Sequence, residues 1–590
     1  MRGSVIKKQV LKQGKNTVIL DMIYPLEPIS NKLIESVTYY IDDEISDTHY
    51  ANKLIIQTNE AITIDIKMGL GYKTTINEFY SESFNYKEPW GGSDGIYSFN
   101  LTNGNDAFDQ KEKGHTLFVF GDTFVGKVDP KTYRRYEPLL MPNNTYGYLD
   151  PKTKAVNILI NQGEKQNVES FFKLDDKYNI TGTIPQNLVE YNRVKENDGY
   201  LSGLYQKEVI LDFDLHKPRH LDEVGIINYF SHESETLSDR GVKELELLIS
   251  NDNETFELVK TIDLKKSKSK NDEQRFKIGK KARYIRFNVK QSHNKHEPIT
   301  GLSSVKFYQD NILLRDVEVT SNTVFYETNA QAWLWLQDGV VIDDKLYFFP
   351  MTIISDTDQP EGLQFAIKGV VMLEIPIKDG KIIHQEAKQK LAPFLFEHEN
   401  YLYLFGGAIM ANTKQAGALN PDGYIYVYGY RQHLGYRETI LARVKAENMT
   451  TFDDYEFYDG KGFTKDILKS APLFAHVSCE FSVSEIREGR NKGKYISVFT
   501  YDTDTIYLAY SIGETPWGPF SKPQKFYRTP EVDYYKSTTY TYNAKAHPHL
   551  SESKSILVSY NTNTYNFDHN MSNATIYHPR FVNLIDTDET

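Results

Sequence analysis

The chain has 590 residues, with 68 Lys and Arg against 80 Asp and Glu, a formal charge of −12, and one cysteine, Cys479. This length exceeds one simple core and suits about three domains, or one large repetitive fold with attachments; a single cysteine excludes an internal disulfide and a thiolate zinc site within the monomer. A mean hydropathy of −0.52 with no apolar stretch of spanning length points to a soluble chain, and net acidity argues against a general nucleic-acid binder.

The composition also includes 42 Tyr, 32 Phe and 4 Trp beside 36 Gly and 22 Pro. Tyr and Phe favour pleated, half-buried surfaces and Gly and Pro punctuate turns, so an all-β chain is predicted, most of its rings packing sheets. The start, Met-Arg-Gly-Ser, is followed by Val5-Ile6-Lys7-Lys8 with no secretory h-region. A natural start would imply a cytoplasmic protein; the same four residues resemble an expression-vector leader, which leaves a secreted or cell-surface location open.

In chain order, residues 1–80 predict a small β-rich domain through runs such as Thr17–Leu20 and Ala61–Ile66. Residues 81–162 and 313–590 carry aromatic and β-branched runs ending in turns: Leu117–Gly121, Leu346–Pro350, Tyr401–Gly406, Tyr424–Gly429, Tyr495–Phe499 and Ile556–Tyr560. Several follow one layout: an acidic or polar opening, an inner strand, a turn, and an aromatic second strand. About five such units, opening near Asp94, Ala332, Tyr403, Glu480 and Asn543, suggest a β-propeller, with a pair of β-sandwiches as the alternative.

Residues 163–312 break the rhythm. They lack Trp, are rich in charge, and include the basic segment Lys265–Lys270, which reads as a solvated hairpin face. Within them, Val209–Leu215, Leu245–Asn253 with its Ser-Asn-Asp segment, Ala282-Arg283-Tyr284-Ile285-Arg286 and Leu302–Tyr308 follow in an order that resembles the discoidin (coagulation-factor C-type) module. The resemblance implies an inserted β-sandwich of a kind that bacteria often use to bind carbohydrate, here with Phe256 where Trp often stands.

Candidate chemistry lies in carboxylates at predicted strand starts. Trp90-Gly91-Gly92-Ser93-Asp94-Gly95 puts Asp94 on a glycine-flanked turn, and Gly121-Asp122-Thr123 puts Asp122 at the end of an apolar strand. Asp-Gly is also ordinary turn chemistry. Asn420-Pro421-Asp422-Gly423, Cys479-Glu480-Phe481 and Tyr542-Asn543-Ala544-Lys545-Ala546-His547 open later units.

Together these motifs resemble propeller families related to endo-D-arabinanases and, more widely, five-bladed glycoside hydrolases, over about residues 77–162 and 313–590. The resemblance implies a five-bladed β-propeller with a sugar pocket on its axis. Glycoside cleavage needs one carboxylic acid to protonate the leaving oxygen and one carboxylate to attack or activate water. Asp94 is assigned as base or nucleophile, Glu480 as general acid and Asp122 as the orienting carboxylate, with the last two roles exchangeable. Trp90, Trp333, Asn420, Asp422, Asn543 and His547 are the expected substrate-binding residues. The expectation is a hydrolase of a polysaccharide or complex glycan, requiring no cofactor and compatible with a structural calcium ion. A non-catalytic glycan binder and a transferase or lyase on the same scaffold are the alternatives. No Walker motif or dinucleotide fingerprint follows a strand.

Overall fold

The computed structural model describes the chain apart from residues 1–3, 21–22, 30, 42–50, 85–87, 108–114, 151–152, 154, 164–166, 192–198, 204–207, 296, 360–362, 504, 536–537 and 588–590. The first three residues of the Met-Arg-Gly-Ser start therefore lie outside the described residues. The fold is all-β, and its few helices are short: Glu78–Ser83, Glu235–Ser238 and Phe567–Ser572 are the α-helices among the described residues. None is long and apolar enough to cross a membrane.

The aromatic runs form strands because they are buried on both faces: every residue from Ile425 to Tyr430, from Phe481 to Glu485 and from Tyr495 to Thr500 is buried. Five antiparallel sheets carry most of them. The first has Tyr97–Asn100, Thr116–Phe120, Thr145–Leu149 and Val156–Leu159 in spatial order. The second runs outward from Gly339–Ile342 through Lys345–Phe348 to Phe365–Lys378, and the third from Tyr401–Asn412 through Tyr424–His433 to Tyr436–Lys445. The fourth contains Phe481–Glu485, Tyr495–Thr500, Tyr507–Gly513 and Gln524–Arg528.

The fifth sheet draws on both ends of the chain. Thr539–Ala546, Ser555–Thr564 and Arg580–Asp586 are completed by Tyr72–Ile76, which pairs antiparallel with the last strand from Val582↔Ile76 to Asp586↔Tyr72. The expected boundary at residue 80 is thereby corrected: Tyr72–Ile76 belongs to the last sheet, and the separate N-terminal unit is the pair of small sheets before it, with a core of Leu11, Val18, Leu20, Leu54, Ile56, Ile64 and Ile66. Tyr72–Ile76 supplies the final strand with a backbone partner, Thr74 opposite Leu584, where its hydrogen-bonding groups would otherwise be exposed at the edge.

The innermost strands of the five sheets pack in succession against one another and line one narrow cavity, to which Tyr97, Val340, Ile409, Val483 and Ala546 each contribute. Ser98 Oγ and His547 Nδ1, 2.7 Å apart, join the first sheet to the fifth.

The insertion follows the first sheet. Its strands form one continuous eight-stranded sheet that extends to Glu318–Ser321, past the expected limit at residue 312. Two long strands, Val209–Asn228 and Gln274–Ser292, carry the sheet around a core that includes Leu211, Phe213, Phe287 and Phe307. The pairing breaks between Asp214 and Arg219, where His216 takes a φ of 60°, and the strand bends there. In the basic segment Lys266 pairs with Asp239, while Ser267 is buried and accepts the Asn228 N–H at 3.0 Å.

Beside the first sheet, Trp90–Ser93, Thr123–Val128 and Arg135–Leu140 make a three-stranded sheet. Arg135 is fully buried, its guanidinium 4.3 Å from the centre of the Phe124 ring. It donates to the carbonyls of Gly91 at 2.9 Å, Ile576 at 3.0 Å and Asn570. Arg135→Leu should strand those buried acceptors and lower stability by about 3 kcal/mol or more; an unchanged thermal midpoint would show that these bonds contribute nothing net.

Candidate active site

Polar side chains stand at or near the starts of several of the inner strands. Asp94 precedes Tyr97–Asn100, Asp338 precedes Gly339–Ile342, Glu480 precedes Phe481–Glu485, and Asn543 lies on Thr539–Ala546 where its register breaks between Tyr542 and Lys545. That bulge aims successive residues at different neighbours. The Tyr542 hydroxyl donates to Asp94 Oδ2 at 2.9 Å. Asn543, at a φ of 59°, reaches Glu480. In the amide orientation that satisfies both neighbours, its Nδ2 donates to Glu480 Oε2 at 2.9 Å and Oε1 at 3.2 Å, while its Oδ1 accepts the Gly95 N–H at 2.9 Å. One side chain thus ties the first, fourth and fifth sheets together beside two carboxylates.

Asp94 and Asp122 are held by reciprocal backbone bonds: the Asp94 N–H donates to the Asp122 carbonyl at 3.3 Å, and the Gly121 N–H donates to the Asp94 carbonyl at 2.9 Å. Gly121 is needed by close approach, since a Cβ there would lie 2.5 Å from Asp94 Oδ1. Asp122 Oδ1 accepts from Asn143 Nδ2 and from the Trp335 indole, each at 3.2 Å.

Both carboxyls are half-buried, and the protein around them disfavours their charged forms. Desolvation lifts Asp94 to about 6 against the lowering effect of the Tyr542 and Tyr577 hydroxyls and of Lys545. Desolvation and then the neighbouring Asp94 charge lift Asp122 to about 8, so the two titrate as a pair. Asp338 is raised to about 7 by desolvation, although the N–H groups of Ile409 and Gly339 donate to it at 2.7 and 2.9 Å.

Lys545 completes the electrostatics. It is 2% exposed, and its Nζ lies 3.6 Å from the centre of the Tyr97 ring. Desolvation pulls it down to about 8 against the opposing pull of Glu480, Asp338 and Asp94. Among the described residues, no group of three or more His, Cys, Asp and Glu side chains is placed to hold a metal ion.

Residues 288–586, just over half of the chain, match a family described as Domain of unknown function (DUF5005). The chain belongs to that family. Residues 181–301 match the F5/8 type C domain, within the stretch where the sequence suggests a discoidin-like module. Among solved structures, a Bacteroides ovatus protein described as an inferred hydrolase is similar at 13% identity and a TM-score of 0.45, over 87% of this chain and 90% of its own. A family 32 carbohydrate-binding module of Streptococcus pneumoniae EndoD aligns at 18% identity and a TM-score of 0.16, over 20% of this chain and 80% of its own. A Clostridium perfringens module, CBM32-3 of a family 31 glycoside hydrolase, aligns at 17% identity and a TM-score of 0.16, over 24% and 96%. None of the curated proteins compared with the chain matches it.

Of the residues singled out in the sequence, Asp94, Asp122, Glu480 and Asn543 come together, Asp122 beside the Asp94 turn and Glu480 bridged to that turn by Asn543. Trp90 does not offer a face to a ligand: it is 3% exposed and packs between Phe84 and His578, at ring separations of 6.3 and 5.6 Å. Asn420 and Asp422 lie on the exposed hairpin joining Tyr401–Asn412 to Tyr424–His433, at the opposite end of the third sheet from the strand starts. There Asp422 accepts from its own turn, from the Tyr424 N–H at 2.9 Å and the Tyr426 hydroxyl at 2.6 Å. His547 is 1% exposed and spends both ring nitrogens, on Ser98 Oγ and Ser559 Oγ, each at 2.7 Å, so it joins sheets rather than meeting a ligand. Trp333 is half-buried, edge-on to Trp335 at 6.4 Å, and it is Trp335 that reaches the acid.

Sequence reasoning missed Asp338, Lys545, Tyr542 and Tyr577. Asp338 had a signal, for Asp338-Gly339 repeats the Asp94-Gly95 pattern at the next inner strand. The two tyrosines had none, being two among 42.

Asp122 lends itself to a stability test. An ordinary Asp ionises near 3.8 when unfolded, while the folded protein holds this proton until about 8, so the native state loses stability as pH rises from about 4 to 8. Asp122→Asn keeps the acceptor for Asn143 and Trp335 and cannot ionise. Its thermal midpoint should exceed the parent's at pH 8, with the gain vanishing near pH 4; a gain independent of pH would show that Asp122 is not held protonated.

Proposed function

We propose that the chain is a glycoside hydrolase acting on a polysaccharide or complex glycan, that its five sheets form a five-bladed β-propeller, and that its reaction site is the end of the cavity where Asp94, Asp122, Asp338 and Glu480 gather. The observation that carries this reading is the Asn543 bridge, which sets Glu480 of one sheet beside the Asp94 turn of another. Acid and base chemistry on a glycosidic bond needs two such carboxyl groups facing one space. Their kinship with the endo-D-arabinanase-like propellers is part of the same proposal.

The Asp94–Asp122 pair retains a proton at neutral pH, because two desolvated neighbours resist ionising together. This pair is the proton donor to the departing oxygen. Glu480, whose two oxygens accept from Asn543 and which faces the Lys545 ammonium, is the carboxylate that attacks or activates water. The assignment exchanges the acid and base suggested by the sequence. Asp338, anchored by two backbone N–H groups, orients a sugar hydroxyl or tunes its neighbours through Lys545. Carboxyl groups, sugar and water suffice for this chemistry, with no cofactor.

The test begins with a screen of furanosides and cell-wall polymers. On a substrate so found, Asp94→Asn, Asp122→Asn and Glu480→Gln should each lower kcat by about 10²–10⁴-fold. The proposal fails if all three retain parental turnover, or if glycans are retained on an array with no product released over long incubation. In the parent, kcat/KM should fall as pH rises through about 8, where the pair gives up the proton it donates; Asp122→Asn should abolish this limb, and an unchanged profile in that variant would remove Asp122 from the acid role.

A further inference from the structure

A second cavity, of about 480 Å³, lies where the insertion meets the second and third sheets, away from the carboxylates above. Its walls come from the segment Gln186–Tyr191, from Arg315–Glu318 at the end of the insertion, and from the sheet strands Phe365–Lys378 and Leu395–His398. That volume is within the usual range for small-molecule sites and accommodates a body of one or two sugar rings.

Its most telling lining residue is Arg315. The guanidinium lies between two rings, 5.8 Å from the centre of Tyr191 and 5.6 Å from that of Phe396. Burial disfavours its charge, and Asp453 and Asp466 are near enough to favour it. Among the described residues, no side-chain hydrogen bond or ion pair uses its nitrogens; Asp453 meets Arg315 through the backbone N–H, at 3.1 Å. Most of the other charges around the cavity are engaged, His216 facing Asp316 at 3.4 Å, while the carboxylates of Glu190, half-buried, and Glu397 also line it. Lys390 donates to Asp316 at 2.8 Å, Glu318 faces Lys177 at 3.5 Å, and Lys368 donates to the Ile180 carbonyl at 2.9 Å. Glu397 is exposed. A fixed fork of N–H donors, shielded from bulk water and left without an acceptor, is a site for a planar anion that can accept two parallel bonds.

We propose that this cavity is a binding site for a carboxylate-bearing sugar, one or two rings in size, whose carboxylate pairs with Arg315 while its ring lies against Tyr191 and Phe396. The site is separate from the proposed hydrolytic centre and spans the junction of the insertion with the sheets. Occupancy would therefore stabilise that junction.

The experiment titrates the full chain with D-galacturonate, and in parallel with D-galactose, by saturation-transfer NMR. Galacturonate should bind saturably and galactose at least tenfold more weakly. Arg315→Met should weaken galacturonate at least tenfold, and Arg315→Lys, which retains the charge and packing but loses the fork, should lie between. If Arg315→Met fails to fold, the Arg315→Lys comparison decides. Glu480→Gln should leave binding unchanged, so a chain inactive on every glycan can still satisfy this proposal. Absence of saturable binding, equal binding of galactose, parental affinity in the Arg315 variants, or loss of binding in Glu480→Gln overturns it.

Discussion

The pairing of Tyr72–Ile76 with Arg580–Asp586 is the constraint on which the rest depends. Five antiparallel sheets line one cavity, and the last of them is completed by an early strand that hydrogen-bonds to the final one, so both ends of this region are tied into the same sheet. The backbone groups of the final strand would otherwise face water on an open edge. Contacts of very long sequence range accompany this pairing: Ser98 with His547, Tyr542 with Asp94, Arg135 with Ile576 and Asn570. Each joins a residue in or beside the first sheet to one in or beside the fifth, so the geometry around Asp94 depends on both regions being in place.

The meeting of these segments also creates the electrostatic tension around Asp94. Bringing Asp94, Asp122 and Asp338 into the neighbourhood of one another withdraws carboxyl groups from water more than Lys545 and the tyrosine hydroxyls can compensate. Proton retention by the aspartates is the outcome, and it costs stability at neutral pH. A fold selected for stability alone would place apolar groups here, as it does a few residues further along each strand, and such local conflict between folding and chemistry is characteristic of functional sites.

The insertion is fastened to the sheets by a second electrostatic cluster. Asp316 accepts from Lys390 and from the Phe452 N–H, while Asp453 accepts the N–H groups of Arg315 and Asp316 and lies 3.2 Å from Arg219. Buried ion pairs of this kind fix geometry more surely than they add net stability, because desolvation offsets much of the attraction. Arg315 enters the cavity at the rim of this cluster, held by its backbone while its side chain is left for a ligand.

The sequence by itself determined the strand content, through aromatic and β-branched runs bounded by Gly and Pro, and the position of the insertion, through the Ser-Asn-Asp and Ala-Arg-Tyr-Ile-Arg segments. It also indicated Asp94, Asp122, Glu480 and Asn543, because a polar residue opening an apolar strand is a local pattern. Only the tertiary structure decided which other residues join them. Trp90 is drawn into a core, His547 is committed to two serines, and Asn420 and Asp422 fall at the far end of their sheet, since the hairpin they occupy follows the inner strand rather than preceding it. Lys545 and Tyr542 gain their places from a bulge, and Tyr577 from the Arg135 anchor, features set by contacts between residues hundreds of positions apart. Local pattern specifies a strand and its ends; the identity of a site's members depends on which ends meet, and that is a property of the tertiary fold.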